Sequence, residues 1–146
     1  MSIAVQMNPE KKQQAYQLIT ELQNKRQEVW SLYCHIAELI PFSANRTVRK
    51  KLVRFSEILI DYVSLGHFGV CEYLFAGADS LDPALSLVKK IDLALSASTE
   101  AAVSFNDKYE SDAAIILDDL KQDLSALGER LAIRSELEDR LCELMR

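Results

Sequence analysis

The sequence predicts an all-α protein, an antiparallel bundle of four long helices with a break near Gly66. Helix-forming residues, chiefly Leu, Ala, Glu, Lys and Gln, dominate the 146-residue chain. Only 4 glycines and 3 prolines interrupt it, which favours long elements over many short strands. Between these interruptions, apolar residues recur at steps of three and four, the spacing of one helix face. We expect residues 1–146 to form a single helical-bundle domain, with residues 1–8 flexible.

The first helix is predicted to start at Pro9. Asn8 can cap its end, Pro9 can take the first position without losing a needed N–H, and Glu10 favours the positive helix end. Pro41 is expected to end the helix. Arg26 is an exception on the apolar face, because it falls where the register demands an apolar residue. That face comprises Ala15, Ile19, Leu22, Val29, Tyr33, Ile36 and Ile40.

The second helix is predicted to start near Asn45 and to break at Gly66, because glycine weakens a helix by up to about 1 kcal/mol relative to alanine. The basic residues near its start are most simply a solvated face, with contact to an acidic partner surface as the alternative. Its buried stripe comprises Leu52, Phe55, Leu59 and Tyr62. After the break, the chain is expected to resume through Phe68, Val70, Cys71 and Leu74.

Asp82 and Pro83 repeat the cap-and-proline signal and are predicted to start the third helix. The fourth helix is predicted to run from about Ala113 to the C-terminus, with Gly128 permitting tight contact with a neighbour. The apolar residues of the third helix are Val88, Ile91, Leu95, Ala102 and Phe105. The seam of the fourth comprises Leu117, Leu120, Leu124, Leu127, Leu131, Arg134, Glu138, Leu141 and Met145.

Charge and composition argue against several classes of protein. A net charge of -5 disfavours direct nucleic-acid binding, since phosphate contacts require a basic surface, and it suits a basic protein partner. No apolar run approaches the roughly 18 residues of a membrane span, so no membrane partner is expected. With no export signal, the cysteines Cys34, Cys71 and Cys142 are expected to be reduced core thiols in a cytoplasmic protein.

No constellation of catalytic or ligating residues is evident, so we expect no enzyme activity, metal or cofactor. His35 and His67 lack the preceding Glu of a di-metal helix motif. Paired-cysteine, Gly-rich phosphate and nucleophile-elbow motifs are also missing from the sequence. Cys34 and His35 are adjacent on a helix and therefore point to different faces, which disfavours a Cys–His nucleophile.

Three charged residues, Arg26, Arg134 and Glu138, fall on otherwise apolar seams. Burying a charge is costly unless it is paired, so these residues predict a mutual polar network or a polar cavity. The simpler interpretation is a structural ion pair. The functional alternative is a pocket, shared with His67, that binds a small ligand or a phosphoprotein in a signalling module. A bundle that only self-associates through an exposed apolar stripe is a third hypothesis.

Residues 59–68, LIDYVSLGHF, place a carboxylate, a hydroxyl, an imidazole and a large aromatic ring beside the glycine break. This run resembles the signature of the regulator of sigma D family (Rsd/AlgQ), which are bacterial anti-sigma proteins. Further matches, in the family's order and at roughly its spacing, extend the resemblance over about residues 15–145. They lie at 128–131, continuing through Arg134 to 137–141, and at Arg26 through Tyr33 to Pro41.

The resemblance implies a helical bundle that binds the primary, housekeeping sigma factor of RNA polymerase at its C-terminal, promoter-reading domain (region 4). Binding would sequester sigma and favour alternative sigma factors in stationary phase, and other signalling proteins are further candidate partners. The family's sigma-contact positions fall on Asp61, Ser64 and Phe68, with His67 beside them. The first three would share one helix face, with Phe68 as its apolar anchor. The competing interpretation places Phe68 in the core and Asp61 in solvent.

Overall fold

A computed structural model of the chain describes residues 9–39, 46–66, 83–109 and 117–144. Each of these segments is helical, and they contain no strand. The helices are α1 (Pro9–Ala37), α2 (Arg46–Ser64), α3 (Pro83–Tyr109) and α4 (Leu117–Leu144). The predicted all-α fold class with four long helices is therefore confirmed.

Side-chain hydrogen bonds between α1 and α4 show that these two helices run antiparallel. Trp30 Nε1 donates to Ser135 Oγ at 3.3 Å. One turn further along α1, Tyr33 Oη donates to the carbonyl of Leu124 at 2.8 Å. The partner number falls as the α1 number rises, which is the order that two antiparallel helices produce.

The same order holds for α3 and α4. Ser98 meets Arg134 at 3.0 Å, whereas Lys108, ten residues later, pairs with Asp123 at 2.7 Å. The hydroxyl of Tyr109 also donates to Asp123, at 2.5 Å. These bonds hold the pKa of the Asp123 carboxyl below its usual range, although burial alone would raise it. The C-terminal end of α3 is thus fastened to the start of α4.

Contacts between α2 and α3 complete the bundle. The rings of Phe55 and Phe105 meet edge to face with centroids 5.7 Å apart. Towards the other end, the carbonyls of Val63 and Leu95 both accept hydrogen bonds from Arg134. Helix α2 is therefore antiparallel to α3, and the four helices alternate in direction.

The core follows the apolar stripes that the sequence predicts. Burial of these side chains from water is the main stabilising contribution to such a fold. Residues with at most 5% of their surface exposed include Leu22, Val29, Ile36, Leu52, Phe55, Leu59, Val88, Ile91, Leu95, Ala102, Phe105, Leu120, Leu124, Leu127, Leu131 and Leu141. The predicted exception, Arg26, is partly buried.

Two predicted helix starts, at Pro9 and Pro83, are confirmed, whereas α1 ends at Ala37, before the predicted stop at Pro41. Helix α1 begins at Pro9 and gives way to a turn after Ala37, in which the Leu39 amide donates to the Ile36 carbonyl at 3.0 Å. Helix α3 begins at Pro83. The predicted stop at Pro41, the fourth-helix start near Ala113 and the resumed helix from Phe68 lie outside the described residues.

The expectation of core thiols is wrong for one cysteine. Cys142 is buried, but Cys34 is exposed. Cys34 follows Tyr33 by one residue and precedes Ile36 by two, so it points away from the buried stripe that those two residues mark. Cys71 lies outside the described residues. None of the described helices holds an apolar stretch long enough to cross a membrane.

Gly128 brings α4 close to α1, as the sequence predicts. A β-carbon at this position would lie 2.8 Å from Cζ of Tyr33 and closer still to its hydroxyl oxygen. That hydroxyl is held by its hydrogen bond to Leu124 O in α4. A glycine is needed here because the tyrosine ring lies flush against the helix backbone.

Replacing Gly128 with alanine is expected to destabilise the protein by about 1–2 kcal/mol in urea denaturation. Displacing the Tyr33 ring costs about 1–3 kcal/mol, and the better helix propensity of alanine recovers up to about 1 kcal/mol. In a Tyr33→Leu background the clash disappears, so the same substitution should become neutral or stabilising. Equal losses in the two backgrounds would contradict this account of Gly128.

Candidate functional site

The last turn of α2 carries the described part of the predicted sigma-contact set. Asp61 is exposed and Ser64 is partly buried, and their spacing of three places them on one side of the helix. Tyr62 and Val63, between them, are buried with 1% and 2% of their surfaces exposed. His67 and Phe68 lie outside the described residues. The turn therefore has an outer face that carries a carboxylate and an inner face that enters the core.

The inner face of this turn meets the buried guanidinium of Arg134. The side chain of Arg134 has 0% exposure. Its Nη2 donates to the carbonyl of Val63 at 3.3 Å, and its Cζ lies 5.2 Å from the centroid of the Tyr62 ring. The last carbonyls of an α-helix lack partners within the helix, and a cation near that end is favourable. Arg134 thus completes the C-terminal turn of α2 from inside the bundle.

Helix α3 supplies a second set of acceptors to the same guanidinium. Arg134 Nη1 donates to Ser98 Oγ and Thr99 Oγ1, both at 3.0 Å, and to the carbonyl of Leu95 at 3.5 Å. Both hydroxyls in turn donate to Leu95 O, at 2.7 and 3.2 Å. Each hydroxyl therefore uses its proton on its own helix and offers its lone pairs to Arg134.

Glu138 is the counter-ion of Arg134 and lies one turn further along α4. Arg134 Nε donates to Glu138 Oε2 at 3.2 Å, and the Tyr62 hydroxyl donates to Oε1 through a short hydrogen bond. Burial raises the pKa of Glu138 above its usual range, against the opposing effects of Arg134, the Tyr62 hydroxyl and Arg26. Burial and the neighbouring carboxylate also raise the pKa of Tyr62 far above its usual range, so its hydroxyl remains a donor.

Arg26 approaches the same carboxylate from α1. Its Nη1 lies 3.5 Å from Glu138 Oε1, donates to Asp139 Oδ1 at 2.9 Å and donates to the carbonyl of Ser135 at 3.2 Å. Burial alone would lower the pKa of Arg26, but the hydrogen bond to Asp139 and the charges of Asp139 and Glu138 raise it overall. The structure therefore brings Arg26, Arg134 and Glu138 together, at the junction of all four helices.

Gly66 leaves the space that the guanidinium occupies. The chain passes from α2 into a wider helical turn at Leu65 and Gly66, and Gly66 is buried. A β-carbon at Gly66 would lie 2.5 Å from Arg134 Nη2 and 3.7 Å from Glu138 Oε2. The glycine that the sequence interprets as a helix break is thus also the close approach that admits Arg134.

The polar atoms of Arg134 and Glu138 all take part in hydrogen bonds within the cluster. Each nitrogen of the Arg134 guanidinium has an acceptor, and both oxygens of Glu138 have donors. Among the described residues, the only buried side-chain nitrogen or oxygen without a hydrogen-bond partner is Ser56 Oγ. These contacts make Arg134 and Glu138 a structural ion pair. The described residues include no group of three or more potential metal ligands.

Sequence reasoning missed three members of this cluster: Ser98, Thr99 and the hydroxyl of Tyr62. Tyr62 belongs to the predicted buried stripe, which accounts for its apolar ring but not for its hydroxyl. Ser98 offered a signal, because it lies three residues after Leu95 and four before Ala102 on the buried face of α3. A buried hydroxyl on an apolar seam needs a hydrogen-bond partner, as the charged groups of Arg134 and Glu138 do.

Comparison with known protein families identifies the chain's relatives. The family model described as Regulator of RNA polymerase sigma(70) subunit, Rsd/AlgQ, matches residues 1–146. The chain belongs to the Rsd/AlgQ family. The expected resemblance is thereby confirmed, and this member of the family is a regulator of the sigma-70 subunit.

Curated proteins named Regulator of sigma D are similar to this family member. One from Yersinia pseudotuberculosis serotype O:1b is 33% identical over 137 residues, covering 87% of this chain and 78% of the relative. One from Yersinia enterocolitica serotype O:8 is 32% identical over 137 residues, with coverage of 87% and 79%. One from Pectobacterium carotovorum subsp. carotovorum is 29% identical over 136 residues, with coverage of 88% and 87%. No solved structure gives a significant match to the chain.

Membership of the Rsd/AlgQ family bears on the alternatives left open by the sequence. The family is one of sigma regulators, and nothing in its description or in the names of the relatives supports a ligand-sensing module built on Arg26, His67, Arg134 and Glu138. The roles of Asp61, Ser64, His67 and Phe68 as sigma contacts stay predictions.

Proposed function

We propose that this Rsd/AlgQ protein binds the C-terminal, promoter-reading domain of the primary sigma factor through the outer face of the last α2 turn. Asp61 carries the argument, since it is exposed beside a rigidly held turn and makes no ion pair with a described residue. Ser64 shares its side of the helix, and Phe68 would continue that face. The bound sigma factor would be withheld from core polymerase, which favours alternative sigma factors in stationary phase.

Charge complementarity supports this partner. A domain that reads promoter DNA must present a basic surface, because phosphate contacts supply much of its affinity. The chain carries 22 acidic and 17 basic residues, for a net charge of -5. An exposed carboxylate can therefore pair with an arginine or lysine that otherwise faces DNA or polymerase. The protein acts by binding, without catalysis, and it needs no direct nucleic-acid contact, membrane or cofactor. Its place of action is the cytoplasm, with the polymerase.

Replacing Asp61 with alanine is expected to weaken binding to the isolated sigma C-terminal domain by about 5–30-fold, or about 1–2 kcal/mol. Isothermal titration calorimetry measures the change. Glu136→Ala is the matched control, because Glu136 is an exposed carboxylate on a different helix, α4. It lowers the net negative charge equally, so it separates a local contact from general attraction. Equal affinities for the two variants would place the contact elsewhere.

Replacing Phe68 with alanine is expected to weaken the same complex by at least about 1–2 kcal/mol, because a buried aromatic anchor contributes strongly at an interface. Circular dichroism and thermal unfolding of the free variant provide the control. An unchanged helix signal with weaker binding supports a contact role. Loss of helix signal would instead assign Phe68 to the core.

A further inference from the structure

We propose that Arg134 is a positioning residue for sigma binding: it holds the last turn of α2 in the conformation that presents Asp61 and Ser64. This role rests on the proposed sigma-binding face. Arg134 has 0% exposure and lies on α4, so it cannot itself touch a partner docked on the outside of α2. Its influence must pass through the α2 backbone.

The contact that transmits this influence is made to the backbone of the turn. Arg134 Nη2 donates to the carbonyl of Val63, and the guanidinium lies over the ring of Tyr62. Val63 and Tyr62 lie between Asp61 and Ser64 in the sequence. The two inner residues lie between the two outer ones within one helical turn, so fixing the inner pair fixes the backbone from which the outer pair projects. A helix end is otherwise the part of a helix that frays most readily.

Arg134 can fix this turn because its guanidinium is itself held in place by α3 and by its own helix. Ser98 and Thr99 on α3 accept from Nη1, both at 3.0 Å, and Glu138 on α4 accepts from Nε at 3.2 Å. Glu138 also accepts from the Tyr62 hydroxyl and lies 3.5 Å from Arg26 of α1. The last turn of α2 is thus tied to the other three helices. Such preorganisation lowers the entropy that a partner must remove on binding.

The positioning role can be tested by removing the hydroxyl acceptors on α3 while keeping Arg134 itself. In the Ser98→Ala/Thr99→Val variant, only the Leu95 carbonyl, at 3.5 Å, remains to accept from Nη1. The matched control is Ser96→Ala/Thr20→Val. Ser96 donates to the carbonyl three residues earlier and Thr20 to the carbonyl four residues earlier, as Ser98 and Thr99 do, but on exposed faces.

Two measurements on the full chain distinguish positioning from general support of the fold. Amide hydrogen exchange should accelerate by about 5-fold or more across residues 61–66 in the Ser98→Ala/Thr99→Val variant, and stay unchanged in the middle of α1 and in the control. Affinity for the sigma C-terminal domain should fall by about 3–10-fold in that variant only, a range typical of coupling through a packed network. In an Asp61→Ala/Ser64→Ala background the affinity loss should shrink to below about 2-fold, because both residues being positioned are gone.

The results that would contradict the positioning role of Arg134 differ from those that would contradict the proposed sigma-binding face. If Asp61→Ala weakens sigma binding but the Ser98→Ala/Thr99→Val variant binds normally, or exchanges faster throughout all four helices, Arg134 is only structural. If the affinity loss persists in full beside Asp61→Ala/Ser64→Ala, the effect does not pass through these two residues, and the positioning role is again excluded. If Asp61→Ala itself leaves affinity unchanged, the proposed face is wrong, and the positioning role falls with it.

Discussion

Replacing Arg134 with methionine is expected to lower the free energy of unfolding by about 3–5 kcal/mol at pH 7.5, the usual consequence of removing one partner from a buried ion pair. Glu138 would keep Arg26 and the Tyr62 hydroxyl as neighbours but lose its closest cation. The Val63 carbonyl would also lose its Arg134 donor. Urea denaturation of the full chain measures the change.

The complementary substitution, Glu138→Gln, is expected to cost less, about 2–3 kcal/mol, because it removes the counter-ion of a buried guanidinium but keeps the volume of the side chain. The amide turns an NH2 group towards one of the two donors, Tyr62 Oη or Arg134 Nε, that the carboxylate accepts from. The amide oxygen can still accept a hydrogen bond. The hydroxyls of Ser98 and Thr99 and the carbonyl of Val63 still surround the guanidinium. Equal losses for the two substitutions would contradict this asymmetry.

The loss caused by Arg134→Met should depend on pH in a definite direction. Removing the cation raises the native pKa of Glu138 further above its ordinary value of 4.5, so the native state binds a proton that the unfolded chain releases. Stability then falls as pH rises through this interval. The deficit relative to the unsubstituted protein should therefore be smaller at pH 5 than at pH 8 (about 1.4 kcal/mol for each unit of added shift). A deficit that grows on acidification would mean that Glu138 is not the stranded group.

The second large effect is expected from Gly66→Ala, which should destabilise the protein by about 2–4 kcal/mol. The new β-carbon would lie 2.5 Å from Arg134 Nη2. The guanidinium cannot simply move aside, because Ser98, Thr99 and Glu138 hold it on two further sides. Moving it would break the hydrogen bond to the Val63 carbonyl. Thermal and urea unfolding measure the loss.

A double-mutant cycle isolates the cause of the Gly66→Ala effect. In an Arg134→Met background the flexible methionine can yield, so Gly66→Ala should cost less than about 1 kcal/mol. If the cost of Gly66→Ala were the same in both backgrounds, the glycine would instead be required by the backbone of the turn.

Much of this fold can be predicted from local patterns in the sequence. The step of three and four residues identified the buried faces of all four helices, and Asn8–Pro9 and Asp82–Pro83 marked two starts that the structure places at Pro9 and Pro83. Arg26, Arg134 and Glu138 stood out because charges on apolar seams need partners. The antiparallel arrangement followed from the expectation of short connectors, and the inter-helix contacts bear it out.

The rest depends on three-dimensional relations that spacing does not encode. That Arg134 reaches the Val63 carbonyl depends on how α2 and α4 cross, and no pattern within either helix specifies the crossing. The acceptor role of Ser98 and Thr99 likewise depends on the rotation of α3. The prediction for Cys34 is wrong for a different reason: cysteine is an apolar residue type, but Cys34 lies one position off the buried stripe. The Asp61 face is predicted from the resemblance alone, because an exposed carboxylate on a helix is not distinctive by itself.

The close approach of residue 66 to the Arg134 guanidinium limits how such proteins can diverge. A side chain at position 66 and an arginine at position 134 compete for one volume, so neither can change freely without the other. Homologous chains that carry a larger residue at the first position should therefore have a shorter, uncharged one at the second, together with a neutral residue in place of Glu138. If positions 66, 134 and 138 changed together across a broad set of related sequences, the glycine and the ion pair beside it would have evolved as one unit.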